Sequence, residues 1–147
     1  MEIPDILKLW MAGLAGAGDG VFVVDGNGLI ILWNSELEQI LEIKSSQAIG
    51  RPCYEVFQGK DLFRNLFCYD CCPVRGMVKR GLPIQRFDLL VPRANGEEVR
   101  LNSTVLSLPS EEEKAPLIVH ILREITPNRE MHRALSVISS RKFPQTS

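Results

Sequence analysis

The stretch DGVFVVDGNGLIILWN, residues 19–34, carries the local signals of a β-hairpin that runs into a helix. Val21 to Val24 form one apolar run rich in β-branched residues, and Leu29 to Trp33 form a second. The four residues between them, DGNG, tolerate the positive backbone φ angles of a tight hairpin turn. Asn34 then offers a side chain that can cap the first turn of a helix. The sequence therefore predicts two strands, followed by a helix that starts directly after Asn34.

Short helical segments and three longer apolar runs make up the rest of the core. The helix after Asn34, SELEQILEI, has its apolar residues on one face. Further helical segments are predicted from Ser45 or Ser46 to Gly50, as a single turn at CYEVF (53–57), and from Pro73 to a stop at Gly81. Three strands are predicted at Pro83–Val91, Val99–Leu108 and Pro116–Glu124. Asn95-Gly96 indicates a hairpin turn between the first two of them.

Both ends of the chain predict helices outside this core. Ile3 to about Ala17 have apolar residues at helical spacing, and NREMHRALSVISSR near the C-terminus is amphipathic. We therefore divide the chain into an N-terminal flanking helix (1–17), one core domain (18–126), and a C-terminal helix and tail (127–147). The order of elements predicts an α+β domain with one five-stranded antiparallel sheet and short helices packed on one face.

Composition narrows the class of partner. The 147 residues include 17 Lys and Arg against 18 Asp and Glu, so the net charge is −1, and the basic residues are dispersed. This balance does not favour a nucleic-acid-binding surface. No apolar run reaches the ~20 residues of a membrane-spanning helix, and the N-terminus lacks the basic start of a secretory signal. The expected compartment is the cytoplasm, where clustered cysteines more often bind metal or act in redox chemistry than form structural disulfides.

Several strings in this order resemble a PAS domain, the Per-ARNT-Sim sensor fold. DGVFVVDGNGLIILWN resembles its opening hairpin and first core helix start, and Gly50-Arg51-Pro52 and NGEEVRLNSTVLSL resemble two later elements. LIVHILREIT resembles the last strand with its closing motif, here Glu124-Ile125-Thr126. The resemblance covers about Leu14 to Thr126. It implies a sensor or interaction module whose helices cover a pocket that, in this family, holds heme, flavin, a metabolite, a metal centre or nothing.

Two cofactors of the family lack their usual residues in this sequence. A light-sensing relative would carry a reactive cysteine in an NCRFLQ-like string, and no such string occurs. A heme would need an axial histidine in the central helix, whereas the only histidines are His120 and His132. His132 lies in the C-terminal helix pattern and is interpreted as a surface residue. A flavin photoreceptor is therefore not expected, whereas a heme is less easily excluded.

All four cysteines, Cys53, Cys68, Cys71 and Cys72, lie in the part that the resemblance assigns to the helical lid, in the pattern C-x14-C-x2-C-C-P. Thiolates are soft ligands that suit zinc and iron–sulfur clusters. A C-x2-C spacing and a proline after a ligand cysteine are both found in such sites. The sequence predicts a cysteine-ligated centre, with iron–sulfur and zinc both open. A redox-active disulfide and inert packing of buried thiols are the alternatives.

The identity of the fourth ligand is open between Cys71 and His120. Iron–sulfur PAS domains of oxygen-sensing kinases carry two C-x2-C pairs, which this sequence lacks. It resembles instead a PAS subgroup with a C…C-x3-C-P pattern, in which Cys53, Cys68 and Cys72 would be the constant thiols. If Leu122 points into the pocket, His120 does too, because alternate strand residues face the same side. The alternative for His120 is a hydrogen-bonded core histidine.

The sequence thus predicts a cytoplasmic sensory and signal-transduction module. It would respond to oxygen or redox state and act on a histidine kinase or transcription regulator, in cis or in trans. The alternatives are a cofactor-free dimerisation or interaction module, and a small-molecule-binding PAS domain with incidental cysteines. The apolar face of the helix over 1–17 predicts a homodimer. No residue spacing indicates an enzyme, and neither nucleic acid nor a membrane is an expected partner.

Overall fold

The structure is a computed structural model of the 147-residue chain, and it describes residues 5, 8, 9, 18–69, 72–109 and 115–125. The flanking helices predicted for 1–17 and 127–147 lie outside the described residues except at positions 5, 8 and 9. Cys71 and His132 lie outside them as well. No helix within the described ranges is long and apolar enough to cross a membrane.

The predicted hairpin is present as strands β1 (Gly20–Val24) and β2 (Ile30–Trp33), which pair antiparallel. Gly28 has a φ of 81°, a backbone conformation that side-chain-bearing residues rarely adopt. Its N–H donates to the carbonyl oxygen of Asp25 at 3.0 Å, and the Asp25 carboxylate accepts from the N–H of Asn27 and of Leu29. The DGNG turn is therefore held by its own side-chain and backbone bonds, as the sequence predicts.

Four short helices follow the hairpin: α1 (Ser35–Leu41), α2 (Ser45–Ala48), α3 (Cys53–Phe57) and α4 (Pro73–Lys79). Asn34 caps α1 as predicted, because its side-chain oxygen accepts from the N–H of Leu37 at 3.0 Å. The same oxygen accepts from the N–H of Val21 at 2.9 Å. One amide thus ties the start of α1 to β1.

Strands β3 (Phe87–Pro92), β4 (Glu98–Leu108) and β5 (Leu117–Glu124) complete one sheet with the order β2-β1-β5-β4-β3, and every neighbouring pair is antiparallel. The α+β class and the five-stranded antiparallel sheet are therefore confirmed. The predicted start of β3 at Pro83 was wrong, since the strand begins at Phe87. A proline has no N–H to donate to a strand ladder, and Pro83 is exposed.

The two faces of the sheet carry separate apolar clusters. The larger cluster contains buried residues of all four helices together with inward-facing strand residues such as Phe22, Leu101 and Leu122. The smaller cluster contains Val21, Val23, Leu117 and Val119, which alternate with the first set along β1 and β5. The four helices therefore pack on one face, which we call the helix side.

Candidate functional site

Cys53 starts α3 and is fixed to the hairpin turn. Its backbone N–H donates to the carbonyl oxygen of Gly28 at 3.0 Å. Its side chain packs on the helix-side cluster. Burial raises the pKa of the Cys53 thiol to about 11, and the neighbouring Cys72 thiol adds to that rise, whereas the Arg75 guanidinium opposes it. Cys53 is therefore a protonated thiol at neutral pH that lies within electrostatic reach of Cys72 and Arg75.

Cys68 reaches the same layer from the loop that follows α3. Its N–H and that of Phe67 both donate to the carbonyl oxygen of Gly59 at 2.9 Å, which closes the 59–68 loop at its base. A Cβ placed on Gly59 would lie 2.9 Å from Cys68 Sγ, so the thiol occupies the space that the glycine leaves. Burial raises the pKa of Cys68 to about 12, with further increases from Cys53 and Cys72 and a hydrogen bond at Gly59 opposing them.

Cys72 is the N-cap residue of α4, directly before Pro73 in the first turn. Its carbonyl oxygen accepts from the N–H of Gly76 at 3.2 Å. Its side chain packs on the same cluster as Cys53 and Cys68, and all three are free thiols. The structure thus brings three of the four predicted site cysteines together from three separate elements. We call Cys53, Cys68 and Cys72 the thiol layer.

The arrangement of the thiol layer differs from that of a closed metal site. Within the described residues, no three side chains from His, Cys, Asp or Glu are placed to hold one metal ion. The donor chemistry fits a soft metal, because three neighbouring thiols repel one another once ionised and a cation relieves that repulsion. The positions of the described donor side chains, however, do not fit a metal ion. The prediction of a cysteine-ligated centre therefore stays a prediction, and Cys71 lies outside the described residues.

Arg75 is a functional candidate that the sequence interpretation did not identify. Its Nη2 donates to the carbonyl oxygen of Gly26 at 3.1 Å, so α4 reaches over the hairpin turn. A Cβ on Gly28 would lie 2.8 Å from Nη1, so the guanidinium packs directly against the hairpin turn. Its Nε is buried and has no hydrogen-bond partner among the described residues. A fixed positive charge therefore borders the thiol layer, a feature that no local sequence pattern signals.

His120 faces the helix side, as its shared face with Leu122 predicts. Its ring stacks on Phe22 with ring centroids 4.3 Å apart and planes inclined by 7°. Burial alone lowers the pKa of His120 to about 4, so the imidazole is neutral at physiological pH. Within the described part of the chain, no thiol contributes to its pKa. Its role as a fourth ligand stays a prediction.

Ser103 is the second candidate that the sequence interpretation missed. It lies on β4, is fully buried, and its hydroxyl has no hydrogen-bond partner within the described part of the chain. Ser103 is opposite Leu122 and Val105 is opposite His120, so Ser103 and His120 are diagonal neighbours on one face, roughly 7 Å apart. A buried hydroxyl without a hydrogen-bond partner in the described part of the chain and a neutral imidazole thus face the helices together.

Comparisons with known proteins agree with this architecture. A family model described as the PAS fold matches residues 9–68. The PAS domain of an HTR-like protein from Haloarcula marismortui is 22% identical with a TM-score of 0.59, over 82% of this chain and 93% of that one. A PAS domain from Colwellia psychrerythraea is 21% identical with a TM-score of 0.60, over 84% and 99%.

A third match is the PAS domain of a two-component sensor histidine kinase, which is 12% identical with a TM-score of 0.58, over 81% of this chain and 96% of that one. No curated protein matches the chain. At these identities the structural matches report the fold, and the family model reports the same fold from the sequence. The sheet order, the helices on one face and the structural matches show that the chain has the PAS fold.

Proposed function

We propose that this chain is a sensory and signal-transduction domain that regulates a histidine kinase or a transcription regulator, in cis or in trans. The proposal is supported by the PAS fold and by the similarity to the PAS domain of a two-component sensor histidine kinase. It includes a cytoplasmic location, action by binding rather than by catalysis, and a homodimer through the helix predicted over 1–17.

The proposed signal is a change at the thiol layer, and the observation that supports it is the convergence of these three thiols. Three thiols from α3, α4 and the intervening loop pack on one apolar cluster, and they influence one another electrostatically. A soft metal or an iron–sulfur cluster would take Cys53, Cys68 and Cys72, with Cys71 or His120 as the further donor. Bound there, such a group would supply a redox-active or oxygen-labile centre, or a structural zinc.

The layer is placed where a change in it reaches the sheet. Cys53 is bonded to the hairpin turn at Gly28, and Cys68 lies against Gly59, whose neighbour Lys60 exchanges two 2.8 Å hydrogen bonds with Leu90 of β3. A shift of these thiols therefore moves backbone that is bonded to both edges of the sheet. This gives the layer a route to an output partner.

The test is metal analysis and an absorption spectrum of the full chain purified without oxygen. Iron with acid-labile sulfide and absorbance near 400 nm supports a cluster, and stoichiometric zinc supports a structural site. Cys53→Ser and Cys72→Ser should each lose the metal, with Ser46→Ala on exposed α2 as a control that retains it. Metal-free protein with four titratable thiols would reject the metal-dependent part of the proposal.

A second candidate input is a small ligand in the helix-side interior, and Ser103 and His120 favour it. A buried hydroxyl without a described hydrogen-bond partner and a neutral imidazole can both bond to a polar group of a ligand. Ser103→Ala removes the hydroxyl that would contact a ligand, and Leu101→Met is the control for a general loss of packing. If a metabolite panel stabilises the chain and the Leu101→Met variant but not Ser103→Ala, the ligand contacts Ser103; absence of any thermal shift would reject this input.

A further inference from the structure

The face of the sheet opposite the helix side is apolar and buried, although the four described helices pack elsewhere. We call Val21, Val23, Leu117 and Val119 on this face the outer cluster. Each of them is at most 2% exposed. An antiparallel sheet that faces water on one side carries solvated residues there. Other atoms therefore cover the outer cluster.

The cover belongs to the same chain, because these exposed fractions are those of a single copy. Outside the described ranges, the stretches long enough to contribute are 1–17, of which positions 5, 8 and 9 are described, 110–114 and 126–147. The 110–114 stretch is SEEEK and offers no apolar side chain. The cover therefore comes from one end of the chain.

The position of the cover follows from the way burial varies across the face. Val21 and Val23 of β1 are fully buried. Residues that pack against the outer cluster but stay half-buried lie on both sides of it, in β2 (Ile31, Leu32) and in β4 (Leu106, Leu108). Strands are ~4.8 Å apart and a helix is ~10 Å wide, so one helix covers about two strands. The pattern fits a single helix that lies over β1 and β5.

Residues 1–17 lead directly into β1 through Gly18. Gly18 has a φ of 84°, and a Cβ placed on it would meet no heavy atom within 4 Å. The glycine is therefore required by the backbone conformation and not by lack of space. A glycine in this conformation commonly ends a helix and redirects the chain. Gly18 thus allows the preceding residues to fold back over the strand that begins at Gly20.

The described positions near the N-terminus show which side of this segment faces water. Asp5, Lys8 and Leu9 are helical and exposed, Leu9 at 73%. Positions i, i+3 and i+4 share one side of a helix. At 3.6 residues per turn, the opposite side carries the apolar stripe, which is Ile3, Ile6, Leu7, Trp10 and Leu14. A helix whose other side faces water directs this stripe towards the protein.

The dimensions and the ends of the face favour this segment over the C-terminal one. A helix from Ile3 to Leu14 is ~18 Å long, and the five residues of β1 extend ~17 Å. Asp19, where segment 1–17 enters, has a side chain that is 10% exposed, whereas the side chain of Arg123, near the point where the C-terminal segment leaves, is 74% exposed. The face is therefore covered at the entry of the chain and open at its exit.

We propose that residues 1–17 fold back at Gly18 and pack their apolar stripe on the outer cluster of the same chain, with Trp10 at the centre of the contact. The contact covers the second apolar face of the sheet. It goes beyond the proposed sensory function and depends neither on the signal nor on a metal. A homodimer through this helix would then use the side that carries Leu9.

The test measures the environment of Trp10 in the full chain. Trp33 is 4% exposed in the helix-side cluster, and Trp33→Phe leaves Trp10 as the only tryptophan. Its emission is expected to be blue-shifted, and acrylamide quenching several-fold weaker than in the urea-unfolded chain. Both signals should be the same at every concentration at which sedimentation equilibrium shows a monomer. Far-UV circular dichroism verifies that the variant is folded.

Leu7→Ser and Leu9→Ser make the same chemical change on opposite sides of this segment. Leu7→Ser should release the stripe, so that Trp10 becomes quenchable and the exposed outer cluster raises the fluorescence of the dye ANS several-fold. Leu9→Ser should change neither signal. Leu135→Ser, in the C-terminal segment, is a second control that should leave both signals unchanged.

Three results would overturn the proposal. Quenching of Trp10 in the monomer as in the urea-unfolded chain would show that the stripe faces water. Protection of Trp10 only at concentrations where the chain dimerises would assign the stripe to a second copy. A rise in ANS fluorescence in Leu135→Ser but not in Leu7→Ser would assign the cover to the C-terminal segment. Neither metal content nor a signal enters these measurements, so a failure of the sensory proposal would leave them unchanged.

Discussion

The imidazole of His120 lies flat against the ring of Phe22, with 4.3 Å between the ring centroids. Phe22 also contacts Phe57 of α3 and Trp33 of β2 at centroid distances of 5.2 and 5.7 Å. The histidine is therefore part of an aromatic layer that joins β5, β1, β2 and α3. A charged imidazolium in this layer would lose its hydration without a compensating partner among the described residues, which is why burial lowers its pKa to about 4.

His120 should make folding stability depend on pH. Its pKa is 6.5 in the reference state and about 4 in the folded chain, so the unfolded chain binds more protons between these values. Stability should therefore fall as pH decreases from about 6.5 towards 4, by up to ~3 kcal/mol. Urea unfolding of the wild type and of His120→Phe at pH 7.5, 6 and 5 checks this. An equal pH dependence in both proteins would contradict it, since carboxylates contribute to each alike.

Cys53 and Cys68 should be slow to alkylate in metal-free protein. The pKa of Cys53 is raised from 9.0 to about 11, so at pH 8 the thiolate fraction is lower by a factor of ~100 than for an unperturbed thiol. Cys68, with a pKa of about 12, should be slower still. Iodoacetamide labelling, resolved by peptide mass spectrometry with and without urea, measures both sites. Native labelling at the urea rate would refute the shifts.

Arg75 should control part of the Cys53 shift. Its guanidinium lowers the pKa of Cys53, so Arg75→Met should raise that pKa further and slow labelling of Cys53 above pH 9. The variant also loses the hydrogen bond to Gly26, at a cost of about 1–2 kcal/mol of stability. Arg80→Met, on an exposed residue at the end of the same helix, is the control with unchanged Cys53 reactivity.

Asn34→Ala should destabilise the domain by about 2–4 kcal/mol, measured as the free energy of unfolding in urea. The change removes one helix cap and leaves the buried N–H of Val21 without its partner. Asn27→Ala is the matched control, because Asn27 is exposed in the hairpin turn and should change stability by less than about 0.5 kcal/mol. Similar losses in the two variants would show that the bridging amide is not the cause.

Gly59→Ala should cost about 1–3 kcal/mol, because the added Cβ would lie 2.9 Å from Cys68 Sγ and 3.3 Å from Leu89 Cδ1. Gly76→Ala is the comparison, since its nearest contact is at 3.8 Å and alanine favours a helix interior. The Gly59→Ala/Cys68→Ala double variant should recover part of the loss, because the sulfur is removed. Strictly additive losses would show that the two residues do not share this space.

Local signals account for the elements that the sequence predicts well. The DGNG turn, the Asn34 cap and the single turn at Cys53–Phe57 each depend on residues within a few positions of one another. The start of β3 was misplaced because Pro83 cannot donate to a strand ladder and Gln85 and Arg86 are exposed before Phe87 begins the strand. The face of His120 could also be predicted, because strand alternation relates it to Leu122 without knowledge of its neighbours.

The sequence by itself determined the hairpin, its helix cap and the clustering of cysteines in the segment between residues 53 and 72, since these features lie within one stretch of chain. Tertiary structure decided which residues those features contact. Phe22 and His120 are 98 positions apart, and Arg75 meets Gly26 across 49 positions. Such contacts depend on strand order and register, which are set by burial over the whole sheet rather than by local propensity. The contact of Arg75 with the hairpin turn and the unpartnered Ser103 hydroxyl therefore became visible only in the folded chain.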